Sequence, residues 1–214
     1  MPIGGDTEMP KGHDNNSLIL DAARALFLEQ SFGAATMEAV AAAAGVSKTT
    51  VYAHFRSKDE LFVAVVERES EHQMLVLNSS AGTDAAAVLA TFARKAAALL
   101  VAPSTIALHR IVSSEAVRAP AVGRLFYANG PQRLIDGLAA YLEQAMAGGQ
   151  LRRAPSHLAA VQFLAVIVGD LQLRALHGLP PASPSERAAV ASSGVKVFLA
   201  AYAMPHRGAS HAGG

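Results

Sequence analysis

A chain of 214 residues, 51% hydrophobic and only 6% aromatic, can bury one or two sizeable cores, and its wealth of Ala and Leu favours helices over sheet. The absence of cysteine excludes a disulfide framework, a thiolate metal site and a cysteine nucleophile, and it suits a reducing cytoplasm. A formal net charge of +1 excludes a protein that coats nucleic acid through bulk electrostatics.

Residues 1–15 mix Gly4, Gly5, Pro2 and Pro10 with charges of both signs and no apolar run, so they read as a disordered tail and not as a signal peptide. A first helix is predicted over 16–30, with Ile19, Ala22, Ala23 and Leu26 on its buried side and Phe32-Gly33 ending it. Two short helices follow. In the first, Met37, Val40, Ala41 and Ala44 fall at i, i+3, i+4 and i+7, with Thr36 placed to cap its start and Gly45 to end it in a left-handed conformation. In the second, 48–55, Ser47 is placed as the N-cap, and Val51 and Phe55 share one side. That arrangement turns Lys48, Thr49, Thr50, Tyr52 and His54 outward, which is poor packing material but suits reading a DNA groove. The pair reads as a helix-turn-helix.

Ser57-x-x-Glu60 has the form of a capping box and opens a fourth helix running past Leu75. The NSSAGT segment, 78–83, is the clearest break in the chain. Beyond it, helices are predicted over 84–101, 104–117, 121–147 with a kink or break at Gly130-Pro131, 156–176 and 184–203. Residues 205–214 form a polar, Gly-rich tail. The fold class is therefore all-α, with a disordered tail (1–15), a DNA-binding domain (16–63), a larger helical domain (64–204) and a second tail. The most apolar run, 158–168, is too short to span a bilayer and contains Gln162, so no membrane segment is expected and the predicted location is cytoplasmic.

Thr36, Val40-Ala41, Ala44-Gly45-Val46-Ser47-Lys48, Val51-Tyr52-x-His54-Phe55 and Ser57-Lys58-Asp59-Glu60-Leu61-Phe62, at this spacing, resemble the DNA-binding domain of TetR/AcrR family transcriptional regulators over about 17–65. Glu115-Ala116-x-Arg118-x-Pro120 and Phe126-Tyr127-x-x-Gly130-Pro131 are similar to the ligand-binding half of the AefR-like subgroup. The resemblance implies a homodimeric repressor that binds a pseudo-palindromic double-stranded operator and is released by a small-molecule effector. It implies base contacts from Lys48, Thr49 and Thr50 and phosphate contacts from Tyr52, His54 and Lys58, while Thr36 and Ser47 could serve DNA, plain capping or both. Ala53 departs from the bulkier residue common at that site and removes one contact. Lys58 opens a helix, where its charge opposes the helix dipole unless it faces an anion. The segment is not strongly basic, since Asp21, Glu29, Glu38, Asp59 and Glu60 offset Arg24, Lys48, Arg56 and Lys58, which predicts modest non-specific affinity.

The C-terminal half offers apolar helices with a few polar groups, as a ligand cavity would need. Phe92, Phe126, Tyr127, Gln162, Phe163 and Asp170 are candidate ligand contacts; the aromatics serve equally well as core, and Asp170 as an i, i+4 partner of Arg174. Helices 156–176 and 184–203 are the dimerisation elements the resemblance implies, with Ala159, Ala160, Val190, Val197 and Ala201 small enough for close approach; the alternative is that they form one subunit's core. His109 with Glu115, His157 with His177, and the tail residues His206 and His211 lack ligand or catalytic spacing, so no enzyme activity, catalytic residue, metal or cofactor is predicted. A helical small-molecule-binding protein without sequence-specific DNA binding is the alternative function.

Overall fold

The structure is a computed structural model that describes residues 11–78 and 84–204. Residues 1–10, most of the NSSAGT segment, and the tail with His206 and His211 lie outside the described residues. Eleven helices follow one another among the described residues, and the chain divides into two compact units.

The first unit runs to Glu69 and also takes Ala107 to Asn129. It holds α1 (Lys11–Ala34), α2 (Met37–Ala44), α3 (Lys48–His54), the start of α4 (Lys58–Asn78), the later part of α6 (Pro103–Ala116) and α7 (Pro120–Asn129). Helix α1 starts at Lys11 instead of Asn16, and its helical geometry breaks at Ser31, where φ is 74° and ψ 163°. That break folds Phe32 back onto the helix. Phe27, Phe32 and Phe62 then form a ring cluster with centroids 5.1–5.6 Å apart, at the middle of a core that includes Ile19, Ala23, Val40, Val51 and Leu61. The α4 start follows its predicted cap: Glu60 N–H donates to Ser57 Oγ at 3.1 Å, and Glu60 Oε2 reaches back to accept from Arg56 N–H at 2.7 Å.

The second unit takes Ser70 to Ile106 and the chain from Gly130 onward. Its helices are the end of α4, α5 (Ala85–Leu100), the first turn of α6, α8 (Pro131–Ala147), α9 (Ser156–Val168), α10 (Leu171–Leu176) and α11 (Pro184–Tyr202). The predicted break at Gly130-Pro131 separates α7 from α8, with Pro131 in the first turn of α8, where its missing N–H costs nothing. The single helix predicted over 156–176 is divided into α9 and α10, because Gly169 leaves helical geometry at φ 55° and ψ −132°. A glycine inside an apolar run gives no local signal of which conformation it takes. Another glycine sets a helix crossing: a methyl group on Gly194 of α11 would stand 2.8 Å from Ile167 Cα and closer still to the Val166 carbonyl oxygen of α9.

Phe92 of α5, Phe163 of α9 and Phe198 of α11 meet in this core, with Leu138 and Leu142 of α8 around them. Ala159 and Ala160, expected at a dimer surface, are instead fully buried inside the unit. The outward faces differ. Leu158 is 52% exposed and Val197 57%, and Val161, Ala165, Ala200 and Ala201 are exposed beside them along α9 and α11. No single described helix is long and apolar enough to cross a membrane.

Candidate nucleic-acid interface

The helix-turn-helix is built by local caps. Thr36 Oγ1 accepts from Ala39 N–H at 3.1 Å and so starts α2. Gly45 ends it at φ 68°, a left-handed position open to glycine, with Gly45 N–H donating to Ala42 O and Val46 N–H to Ala41 O. Ser47 Oγ accepts from Thr50 N–H at 3.0 Å and lies 2.8 Å from the Thr50 hydroxyl. Thr36 and Ser47 therefore both work as caps, and both remain exposed. Helix α3 buries Val51 and, at its end, Phe55, leaving Lys48, Thr49, Tyr52 and Ala53 exposed with Thr50 and His54 half-buried. The His54 ring tilts against Phe55 at 6.2 Å.

Two lysines depart from the simple picture. Lys48, the first residue of α3, forms an ion pair with Glu38 of α2, and its ammonium stands 5.7 Å from the Tyr52 ring centre. The hydrogen bond from Lys48 lowers the Glu38 carboxyl below the usual range, and that same bond raises the Lys48 ammonium. Glu38 was no candidate on sequence grounds, since ten residues and a turn separate it from Lys48. The one available signal is that it is the sole carboxylate, and Lys48 the sole lysine or arginine, between Thr36 and Phe55.

Lys58, predicted as a phosphate contact, points inward. Its Nζ donates to the carbonyls of Phe32 at 2.7 Å, Ala35 at 3.0 Å and Gly33 at 3.2 Å, and lies 4.5 Å from the Phe32 ring centre. An ammonium has three donors, and all three are engaged. Among the described residues no anion compensates for this lysine at a helix start; the partial negative charges of the carbonyl cluster after Ser31, at the end of α1, do so instead.

The predicted ligand residues are distributed over both units. Phe126 and Tyr127 belong to the first unit and Phe92, Gln162, Phe163 and Asp170 to the second. Phe126 packs edge-on against His109 at 4.8 Å, where burial lowers the pKa of the imidazole, and Tyr127 is exposed. Phe92 and Phe163 are fully buried core. Gln162 is exposed on α9 and accepts the Tyr202 hydroxyl hydrogen bond. Asp170 is exposed and is not the partner of Arg174, which pairs with Glu186 at 2.7 Å. No group of three or more His, Asp or Glu among the described residues is arranged to hold a metal ion.

Comparison with known proteins agrees with this architecture. Residues 19–65 match the model of bacterial regulatory proteins of the tetR family, and residues 87–204 match the AefR-like transcriptional repressor C-terminal domain. Among curated proteins, the transcriptional activator FasR of Mycolicibacterium smegmatis is 36% identical over 74 residues, 33% of each chain. The matched segments thus span about a third of the length of such curated relatives as FasR and the Escherichia coli regulator UidR. Solved structures match at full length. One from Mesorhizobium loti, assigned to the TetR family, superposes with TM-score 0.77 at 26% identity, over 92% of this chain and 100% of that one. The flavonoid-responsive regulator FrrA superposes with TM-score 0.68 at 35% identity, over 90% and 98%. With more than half of its length matching one family domain, and its helix-turn-helix matching the partner domain, the chain belongs to the TetR family of transcriptional regulators.

Proposed function

We propose that the protein is a homodimeric, sequence-specific DNA-binding repressor. The observation that carries this reading is the geometry of α3, a helix anchored by Val51 and Phe55 whose opposite side presents Lys48, Thr49 and Tyr52 to solvent. In this reading Lys48, Thr49 and Thr50 meet base edges, Tyr52 and His54 hold register on phosphates, and the caps Thr36 and Ser47 fix the starts of the two short helices. Lys58 has no place in the interface, because its ammonium is already spent on carbonyls of the same unit.

Dimerisation is supported by the apolar outer faces of α9 and α11. Paired about a two-fold axis, they would bury Leu158, Val161 and Val197, and a two-fold protein suits an operator whose half-sites lie roughly 34–36 Å apart. Sedimentation equilibrium at micromolar concentration is expected to give twice the 22.2 kDa chain mass; a monomer at that concentration rejects the dimer. A small apolar effector acting through the second unit is supported by the full-length likeness to the flavonoid-responsive FrrA. It would release DNA by binding more tightly to a conformer in which the two α3 helices are wrongly spaced.

The test is selection from a random duplex pool followed by titration against scrambled DNA at near-physiological salt. An operator preferred by about 10³-fold or more is the expected result. Thr49→Ala is expected to reduce discrimination at one base position by about 1–3 kcal/mol. Equal loss on operator and scrambled DNA would remove Thr49 from base reading. The neutrality of the Glu38–Lys48 pair favours one second reading, a helical small-molecule-binding protein without sequence-specific DNA binding. That reading predicts no enriched duplex at all.

A further inference from the structure

We propose that Glu38 sets the DNA discrimination of this protein by holding Lys48 away from phosphates, so that Glu38 is a positioning residue of the DNA interface. The inference deepens the DNA-binding reading and rests on it. Between Thr36 and Phe55 the chain has one carboxylate and one lysine or arginine, and the fold joins them across the turn between α2 and α3. Both side chains are more than half exposed, at 55% and 58%, so the pair adds little to stability. Its position gives it a different consequence. Lys48 is the first residue of α3, and its ammonium pairs with the Glu38 carboxylate and stands 5.7 Å from the ring centre of Tyr52, four residues further along the same helix.

Non-specific DNA binding is driven by cations that meet phosphates and release counterions. A lysine already neutralised by a carboxylate exchanges one anion for another and releases little. With Lys58 turned into its own unit, Lys48 and the exposed Arg56 are the lysine and arginine between Thr36 and Phe62 left to meet a random duplex, so the state of Lys48 weighs heavily on non-specific binding. A guanine edge is a different partner, because O6 and N7 reward a lysine held in one place, and confinement lowers the entropy lost on contact. Glu38 therefore suppresses binding to wrong sequences more than to the right one.

The variant Glu38→Gln keeps the size and polarity of the side chain and leaves the Thr36 and Ser47 caps untouched. Its affinity for a scrambled duplex at 0.1 M salt is expected to rise roughly tenfold, with a salt dependence steeper by about 0.9 per subunit. Its affinity for the duplex enriched by wild-type protein should change less than about threefold, so discrimination falls by a similar factor to the non-specific gain. In a Lys48→Ala background the same change should move scrambled-duplex affinity less than about threefold, because Glu38 then has no cation to hold. An equal rise in both backgrounds would show Glu38 acting as an isolated charge and overturn the proposal, as would an unchanged salt slope. Failure of wild-type protein to enrich any duplex would reject the DNA-binding reading itself, and this inference with it. Enrichment by wild type with no effect of Glu38→Gln rejects only the inference. Melting curves of each variant confirm that the comparison is between folded proteins.

Discussion

Phe163→Ala is expected to lower the unfolding free energy by about 3–5 kcal/mol, the usual loss when a fully buried aromatic side chain leaves a cavity behind. Phe163 is 0% exposed, with Phe92 at 6.2 Å on one side and Phe198 packed edge-on at 4.8 Å on another. It lies where α9 meets α5 and α11, so no single neighbour can collapse into the space. A loss of that size in a chain of this length should lower the melting temperature by about 6–20 °C. Urea unfolding followed by circular dichroism measures it directly. Near-native stability in the alanine variant would mean that Phe163 lines a space the fold does not need filled, which is what a ligand-contacting aromatic would show. Phe163→Leu, which keeps most of the volume, should lose far less, under about 1.5 kcal/mol.

Lys58→Ala is expected to destabilise the first unit by about 2–4 kcal/mol, because it strips a half-buried ammonium from three carbonyl acceptors and from the Phe32 ring. Those carbonyls belong to the turn that Ser31 forces, at φ 74° and ψ 163°, a region that costs a side-chain-bearing residue about 1–3 kcal/mol. Lys58 and the strained turn are therefore coupled: the ammonium offsets the strain, and the strain points the carbonyls at the ammonium. Ser31→Gly, which takes that conformation freely, should recover part of the Lys58→Ala loss. The salt dependence of DNA binding should be unchanged by Lys58→Ala at temperatures where the variant is folded. Unaltered melting together with a salt slope flatter by about 0.9 would restore the phosphate role and reject the structural one.

The features legible in the sequence are those decided within about four residues. Thr36, Gly45, Ser47 and the Ser57–Glu60 pair cap the helices they were expected to cap, because the capping partner is always three or four positions away. Val40, Val51 and Phe55 are buried because helical period alone puts them on one side. The outward display of Lys48, Thr49 and Tyr52 follows from the same period, and with it the outline of the DNA interface. The tertiary structure alone decided who meets whom across longer distances. Lys48 pairs with Glu38 across a turn, Lys58 reaches 23–26 residues back to carbonyls that exist as a cluster only once Ser31 bends the chain, and Arg174 chooses Glu186 over the adjacent Asp170. Likewise Phe126 and Phe163, both candidate ligand aromatics by sequence, end in different units. Caps and periodicity depend on backbone geometry that every helix shares, whereas ion-pair partners and cavity linings depend on where whole helices come to rest. That placement is set by the sum of many weak apolar contacts, which no short stretch of this chain contains.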